Sequence, residues 1–351
     1  MRILVTGGAG FVGSHAAEFY AKSGNDVSVI DNLSRAKNLL KADQTKSAIL
    51  YNWRYLKKNY KNITLEKGDI INKELVQKLA SDVDFIIHAA GQVAVTSSIR
   101  DPITDFQTNA LGTLNVLEAA RKSNTNPAVV YCSTNKVYGK NVNYVPTSMK
   151  ETRYVFSDGE CKEGIPETFP IDRCSHSPYG CSKLSGDIYM QDYSETYGLN
   201  TCIFRMSCIY GDRQFGNEDQ GWVAHFAIST LKGNPIIIYG DGKQVRDVLF
   251  VDDLVRAFNL YYEKKKQVSG EVFNIGGGPE NTISLIELLS LLERLTGKRS
   301  KVQYEKWRVA DQKVYISDIS KANQKLGWQP EIRISDGIST FIDWFEKNKI
   351  I

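Results

Sequence analysis

Histidine is scarce in this chain, four in 351 residues, and His15, His88, His176 and His225 are scattered rather than clustered. The six cysteines (Cys132, Cys161, Cys174, Cys181, Cys202 and Cys208) form no C-x-x-C pair and no regular framework. These shortages argue against a metal centre and a disulfide scaffold, and they read as reduced thiols of a cytoplasmic protein. No apolar stretch approaches membrane-spanning length, so no membrane association is expected. The first thirteen residues lack a separate apolar core and cleavage site, so no signal peptide is expected. Net charge is only +4, and no dense Lys/Arg run is interleaved with aromatics. Lys57-Lys58 and Lys264-Lys265-Lys266 are short and read as solvated faces, which gives no ground for nucleic-acid binding. There is no internal repeat and no low-complexity linker. What remains, 42% apolar and 24% charged residues, is ordinary for one large or two modest globular domains.

Glycine, by contrast, is placed with purpose. Ile3-Leu4-Val5 is a short apolar run like a buried parallel strand, and Gly7, Gly10 and Gly13 follow it with G-x-x-G-x-x-G spacing. Gly7 suits a tight turn, Gly10 lets main chain approach a pyrophosphate, and Gly13 seats the next helix on the strand. A helix-like segment runs from Ser14 to Lys22, and its N-terminus would favour phosphate. The next strand, Val27-Ser28-Val29-Ile30, closes on Asp31, at the distance expected for a carboxylate that binds adenosine ribose hydroxyls. The combination predicts an NAD site. Asp31 disfavours NADP by repelling a 2′-phosphate, while Arg35 leaves that alternative open.

Strand-like runs at 2–6, 27–31, 62–66, 83–88, 128–133 and 201–205 alternate with helical stretches such as 102–122 and 178–197. Such alternation predicts an α/β fold of the Rossmann type, a doubly wound parallel sheet with helices on both faces. After residue 205 the pattern loosens into short strands (236–239, 248–251, 271–275) and helices (253–263, 283–295, 318–325, 335–347). The expected organisation is an NAD-binding domain over 1–205. A smaller C-terminal α/β substrate-binding region would cover 206–351, with some segments returning to the sheet. The connection at 36–61 is long. It is read as a helix packed on the domain edge, with a subunit contact or a lid over the adenosine end as the other reading.

Tyr179 and Lys183 are four residues apart, which on a helix puts them on one face. A phenol ordinarily ionises near pH 10, so a neutral-pH base needs help from a nearby ammonium. Ser133-Thr134 ends the apolar strand Ala128-Val129-Val130-Tyr131-Cys132 at the sheet edge where ligands bind in such folds. A hydroxyl there can bond the oxygen that Tyr179 deprotonates, and Thr134 is the candidate.

With these residues in place the chain resembles the extended short-chain dehydrogenase/reductase family of nucleotide-sugar enzymes. The matching strings are Gly68-Asp69-Ile70, His88-Ala89-Ala90-Gly91, Asn109, Ser133 to Gly139, Tyr179/Lys183, Arg246-Asp247, Asn274 to Gly277 and Asp311-Gln312. The resemblance implies Thr134, Tyr179 and Lys183 as the catalytic set. It implies Gly7, Gly10, Phe11, Val12, Asp31, Asn32, Ser34 and Arg35 around the cofactor's phosphates and adenosine, with Asp69 and Ile70 flanking the adenine. Ala89, Ala90, Gln92, Asn109, Ser133, Tyr179, Lys183 and Met206 complete the NAD set. For a nucleotide-diphosphate sugar it implies Gln92, Thr134, Asn135, Ser207 and Gln220, with Arg246 and Arg308 on the diphosphate.

Family members that eliminate water carry an Asp-Glu pair after the threonine, and this chain has Asn135-Lys136. Oxidation without elimination is therefore expected. Strings 90–96, 133–139, 213–222 and 242–249 resemble the branch that epimerises a CDP-linked dideoxyhexose at C2. Residues 36–61 are longer than in that branch, and Cys208 stands where many relatives have a substrate-binding asparagine. A UDP- or dTDP-sugar 4-epimerase, a net NAD-dependent oxidoreductase and a non-catalytic NAD-sensing protein are the alternatives. The resemblance also implies a homodimer or homotetramer, with 102–122 and 178–197 on the dimer face.

Overall fold

A run without polar alternation, such as Ile3-Leu4-Val5, forms a strand only where both faces are covered. These residues lie in the strand Arg2–Thr6 and are at most 1% exposed. The structure, a computed structural model, describes residues 1–34, 50–157, 159, 161–308 and 311–348. The chain divides into two compact units, one of residues 1–134, 178–205 and 255–273, the other of 135–177, 206–254 and 274–351.

The first unit is built on a seven-stranded sheet in the order Glu271–Ile275, Thr201–Met206, Ala128–Thr134, Phe85–His88, Arg2–Thr6, Asp26–Asp31, Ile63–Lys67. Arg2–Thr6 pairs in parallel with Asp26–Asp31 on one side and with Phe85–His88 on the other. The chain therefore reverses its direction of travel across the sheet at this strand, and in doubly wound folds ligands bind at the carboxyl ends beside such a point. Thr6, Asp31, His88 and Thr134 end their strands there. Leu4, Ile30, Ile86 and Val129 anchor the core with Val76, Val116, Leu117 and Met190 from the covering helices.

Within the long connection after the second strand, the helix Tyr51–Asn59 lies on the domain edge. Leu56 is fully buried, and the hydroxyls of Tyr55 and Tyr60 both donate to Glu18 at 2.7 Å. Residues 35–49, including Arg35, lie outside the described residues.

The helix expected at 102–122 is three pieces. Pro102–Phe106 starts on Asp101, whose side chain accepts the Thr104 N–H. Gln107–Leu111 is a single π turn, and Gly112–Arg121 continues as α-helix. Gly112 leaves room for Ile70, whose side chain would have to shift to admit a Cβ 2.5 Å from its Cδ1.

In the second unit the buried strand Val245–Phe250 pairs antiparallel with Thr282–Ser284 and parallel with Val314–Tyr315 and Cys208–Tyr210. It starts earlier than the expected 248–251 and yields at Val251 to a helix whose first turn carries Asp252 and Asp253, charges that suit a helix N-terminus. The helix Leu285–Thr296 opens on a reciprocal cap between Ser284 and Glu287. Among the described residues no helix is long and apolar enough to cross a membrane.

Helix Ser177–Tyr197 reaches the sheet through Gly186, where a Cβ would lie 2.6 Å from Tyr131 Oη and 3.2 Å from Thr113 Cγ2. Tyr131 is fully buried and cannot swing away. Helix propensity alone would make Gly186→Ala stabilising by about 1 kcal/mol, but overpacking costs about 1–3 kcal/mol. The expected result is a net loss, seen as a lower midpoint in urea unfolding. A raised midpoint would mean that the helix backs away at no cost.

Candidate active site

The glycine turn is shaped by two requirements. Gly7 has φ +72°, and a Cβ on it would stand 2.7 Å from the main chain of Ala90. A Cβ on Gly13 would strike Gly7 O, so this glycine lets the helix Phe11–Lys22 start tight against the turn. Gly10 differs: its φ of −71° is open to any residue, and its only near neighbour is Gly7 O at 3.0 Å. A Cβ there would press on that oxygen and meet nothing else within 4 Å, so the glycine relieves a tight contact and leaves open space beyond it for a ligand. No side chain caps the helix that follows, and its first turn holds no acid. Phe11 and Val12 begin this helix, so their N–H groups are among those that an α-helix leaves without an internal partner.

Asp31 accepts the Ala9 N–H at 3.0 Å and the Leu33 N–H at 2.8 Å. Burial pushes its carboxyl up, opposed by these main-chain donors. Asn32 donates to Asp69 Oδ2 at 2.6 Å and accepts the Ser34 N–H at 2.8 Å. Asp31, Asn32, Ser34 and Asp69 thus meet at the strand ends. Ile70 differs from this set in that its side chain belongs to the core cluster and is 4% exposed.

Ala89 and Ala90 are held by Thr6, whose O and Oγ1 accept their N–H groups at 3.2 Å each. Gln92 has both amide hydrogens engaged, Nε2 donating to Ala94 O and Asp105 Oδ1, and its Oε1 accepts the Ala94 N–H. Asn109, in the π turn, donates to Gln92 O, Asp105 Oδ1 and Ser182 Oγ and accepts the Gln92 N–H. A regular helix would rotate it out of this register, which gives the π turn a physical purpose.

Tyr179 and Lys183 lie one turn apart near the start of Ser177–Tyr197 and are 8% and 4% exposed. The Thr134 hydroxyl bonds the Tyr179 phenol and favours its ionised form, yet burial dominates and pushes the phenol up to about 12. Burial also lowers Lys183 to about 8. Its Nζ sits 4.0 Å from the ring centre of Tyr131. Ser133 donates to Asp187 Oδ2 at 3.0 Å, and Asp187 is clamped by Arg205 at 2.9 and 3.1 Å.

The second unit contains its own polar cluster. Arg246 donates to Val245 O and Asp311 Oδ1, both at 2.7 Å, and Lys136 donates to Gln312 Oε1 at 3.4 Å. Burial, then Arg246, lowers Lys136. Arg308 lies 3.9 Å from the Tyr239 ring centre and donates to Glu218. Ser207 donates to Asp247, Asn135 is buried, Met206 is half-buried at the end of its strand, and Gln220 is held by main-chain bonds to Asn217. The strings Asp247, Gly276, Asn274 and Asp311-Gln312 prove to be partners of one another's neighbours. A Cβ on Gly276 would strike Asp247 Oδ2, and Asn274 Oδ1 accepts the Tyr138 hydroxyl at 2.7 Å. Cys208 accepts a bond from Trp222 Nε1 at 3.4 Å.

Residues 3–276 match the model of the NAD dependent epimerase/dehydratase family. The chain belongs to this family. It is 40% identical to the CDP-paratose 2-epimerase of Salmonella typhi, over 98% of this chain and 99% of that one. It is 34% identical to a putative UDP-glucose 4-epimerase of Methanocaldococcus jannaschii, over 99% of each. Among solved structures, the UDP-glucose 4-epimerase of Thermotoga maritima with UDP-glucose superposes with a TM-score of 0.80 at 31% identity, covering 99% of this chain and 100% of that one. The UDP-glucuronic acid 4-epimerase of Bacillus cereus, in complex with UDP-glucuronic acid and NAD, gives 0.80 at 29%, covering 99% and 100%.

As a family member the chain takes NAD as its cofactor. The residues present fit it: the space over Gly10, the uncapped helix end and the Asp31 carboxylate match a pyrophosphate next to a ribose diol. Two buried carboxylates in the first unit escaped the sequence reading, Asp105 and Asp187, although the i, i+4 spacings Asp105/Asn109 and Lys183/Asp187 were there to be seen.

Asp31→Ala should weaken NAD binding by about tenfold to a hundredfold, the range for losing a hydrogen bond to a charged group. Calorimetric titration of nucleotide-stripped protein measures this, and unchanged affinity would remove Asp31 from the ribose.

Proposed function

We propose that this chain is a nucleotide-sugar epimerase that interconverts CDP-paratose and CDP-tyvelose by transient oxidation at C2. The observation that carries the reading is the stretch Thr134-Asn135-Lys136, which keeps the hydroxyl beside Tyr179 and has no acid pair to drive elimination. The 40% full-length identity to a CDP-paratose 2-epimerase supports the sugar and the base.

NAD, when bound, takes and returns the hydride, so the reaction has no net redox change. Tyr179 removes the C2 hydroxyl proton in the first half and returns it in the second. Thr134 donates to the ionised phenol and keeps the reacting oxygen in line. Burial leaves the phenol at about 12, five units above neutrality, so its ionisation there requires about 7 kcal/mol. The Lys183 ammonium is the positive charge that the protein itself contributes. Arg246 and Arg308, already oriented by Asp311 and Glu218, take the diphosphate, a fixed handle while the sugar turns. Gln92 contributes by holding main chain through Ala94, with both amide hydrogens engaged.

We also infer a homodimer formed through the first unit. Ile99, Ile103, Phe106 and Ile188 are each more than half exposed on the helical stretches 95–111 and 177–197, an apolar cost that a second copy would relieve.

The deciding experiment incubates the enzyme with CDP-paratose and follows the sugar by NMR, after denaturing a sample to assay released cofactor. Conversion to CDP-tyvelose without NADH accumulation is expected. NADH accumulation, or reaction only with a UDP- or dTDP-sugar, would overturn the assignment in favour of an oxidoreductase or a 4-epimerase. Tyr179→Phe should lower turnover by about 10²- to 10⁴-fold, with NAD still bound. A near-normal rate would remove the phenol from the mechanism. The pH profile of kcat/KM should fall above about pH 8 as Lys183 loses its proton, and Lys183→Met should abolish that limb while lowering the plateau. A limb that survives the substitution would assign it to another group.

A further inference from the structure

Asp105 is 1% exposed, and its three hydrogen-bond donors, Gln92, Asn109 and Ser182, are all neutral. A carboxylate kept from water with no ion-pair partner of its own is costly. Burial pushes its carboxyl up, and the Ser182 and Gln92 donors and then the charge of Lys183 hold it down, so Lys183 is the cation that supports its ionised form.

Cys132 and Asp187 also support the Lys183 ammonium, but neither is a free counter-charge, and the remaining groups that face Lys183 carry no charge on it. His88 is tied between Thr6 and Thr113 at 2.7 and 2.9 Å, and burial holds it down to about 3, so it stays neutral. The Cys132 thiol is raised to about 12 by burial and is uncharged in the working range. Tyr131 presents its ring face, and its phenol is raised well above its ordinary value. Asp187, on the same helix as Lys183, is neutralised by Arg205 across two hydrogen bonds. Tyr179 is a protonated phenol until the reaction calls on it. Asp101, which acts on Asp105 from the other end of its helix, is exposed to water. The one anion left uncompensated beside the lysine is Asp105.

Resting on the epimerase reading above, we propose that Asp105 is a positioning residue: it is the counter-anion that keeps Lys183 charged in its dry surroundings. Through Gln92 and Asn109 it also fixes the segment 90–94 against that lysine. The two roles share one set of bonds. Asp105 Oδ1 takes both amides, Oδ2 takes the Ser182 hydroxyl from the helix of Lys183, and the Gly91 Cβ position lies 3.9 Å from Lys183 Nζ.

The test is Asp105→Asn, which keeps shape and an oxygen for Gln92 and Asn109, turns the Ser182 hydroxyl from donor to acceptor, and removes the charge. Lysine labelled with ¹³C at Cε is titrated by NMR in the NAD-loaded enzyme, with the Lys183 signal identified by its loss in Lys183→Met. The Lys183 midpoint should fall by about one pH unit in Asp105→Asn, and the falling limb of kcat/KM should move down with it. A merely structural Asp105 would lower the rate at all pH values and leave the midpoint where it was, which would overturn the proposal. If Asp105→Asn does not fold, the Asp105 carboxyl ¹³C signal in the unmodified enzyme decides. An inflection at the Lys183 midpoint that disappears in Lys183→Met supports the coupling, and its absence overturns it. The titration needs no substrate, so a protein that shows the shift but converts no CDP-sugar would sink the epimerase reading and leave the Asp105–Lys183 coupling standing.

Discussion

An ammonium buried to 4% exposure sets the terms for everything around it in the first unit. Taken from water it tends to lose its proton, and burial lowers Lys183 to about 8 against the opposing influence of its neighbours. The fall is modest because that influence is considerable. A tyrosine face lies beneath the amine, and two carboxylates stand near it. One of them, Asp187, is bound to Arg205, so that strand Thr201–Met206 and helix Ser177–Tyr197 are locked together by the same interaction. Removing one member of such a buried pair exposes the other to the full cost of desolvation. The lysine's position and the integrity of the sheet's far side are therefore not separable.

The fold delivers this arrangement through close approach rather than through any long-range device. Gly186 brings the lysine helix onto Tyr131, and Gly112 admits Ile70 beneath the neighbouring helix. Gly7 admits the main chain of Ala90 beside the nucleotide turn. In each case a missing side chain lets two elements come within contact distance, and the polar groups of the site are left with fixed partners.

Much of this was legible from local spacing. The parallel sheet follows from apolar runs alternating with helical patterns, and the glycine turn, Asp31, Tyr179 and Lys183 each stand in a short string whose chemistry depends on neighbours in sequence. What lies across space was not legible. Asp105 reads as one acid in a polar helix, because its partners Gln92 and Ser182 are 13 and 77 residues away. The π turn at Gln107–Leu111 has no signature in the run of residue types, being imposed by the four bonds of Asn109. The packing of Ile70 was likewise not legible: its side chain fills the space over Gly112 as part of the core cluster, which its place after an edge strand does not announce.

The opposite displacements of Tyr179 and Lys183 have a common cause and a mechanistic consequence. Burial favours the neutral form of both, so the phenol at about 12 and the amine at about 8 stand in the wrong order for a phenolate–ammonium pair. The hydroxyl of Thr134 acts on the phenol and eases its ionisation, whereas the charge of Asp105 acts on both members, supporting the amine and opposing the phenolate. A site with this balance holds Tyr179 as a phenol until further positive charge arrives beside it. On the epimerase reading, base strength is then available only where hydride acceptance has also been arranged, and the buried tyrosine does not act as an idle base in the interval between turnovers.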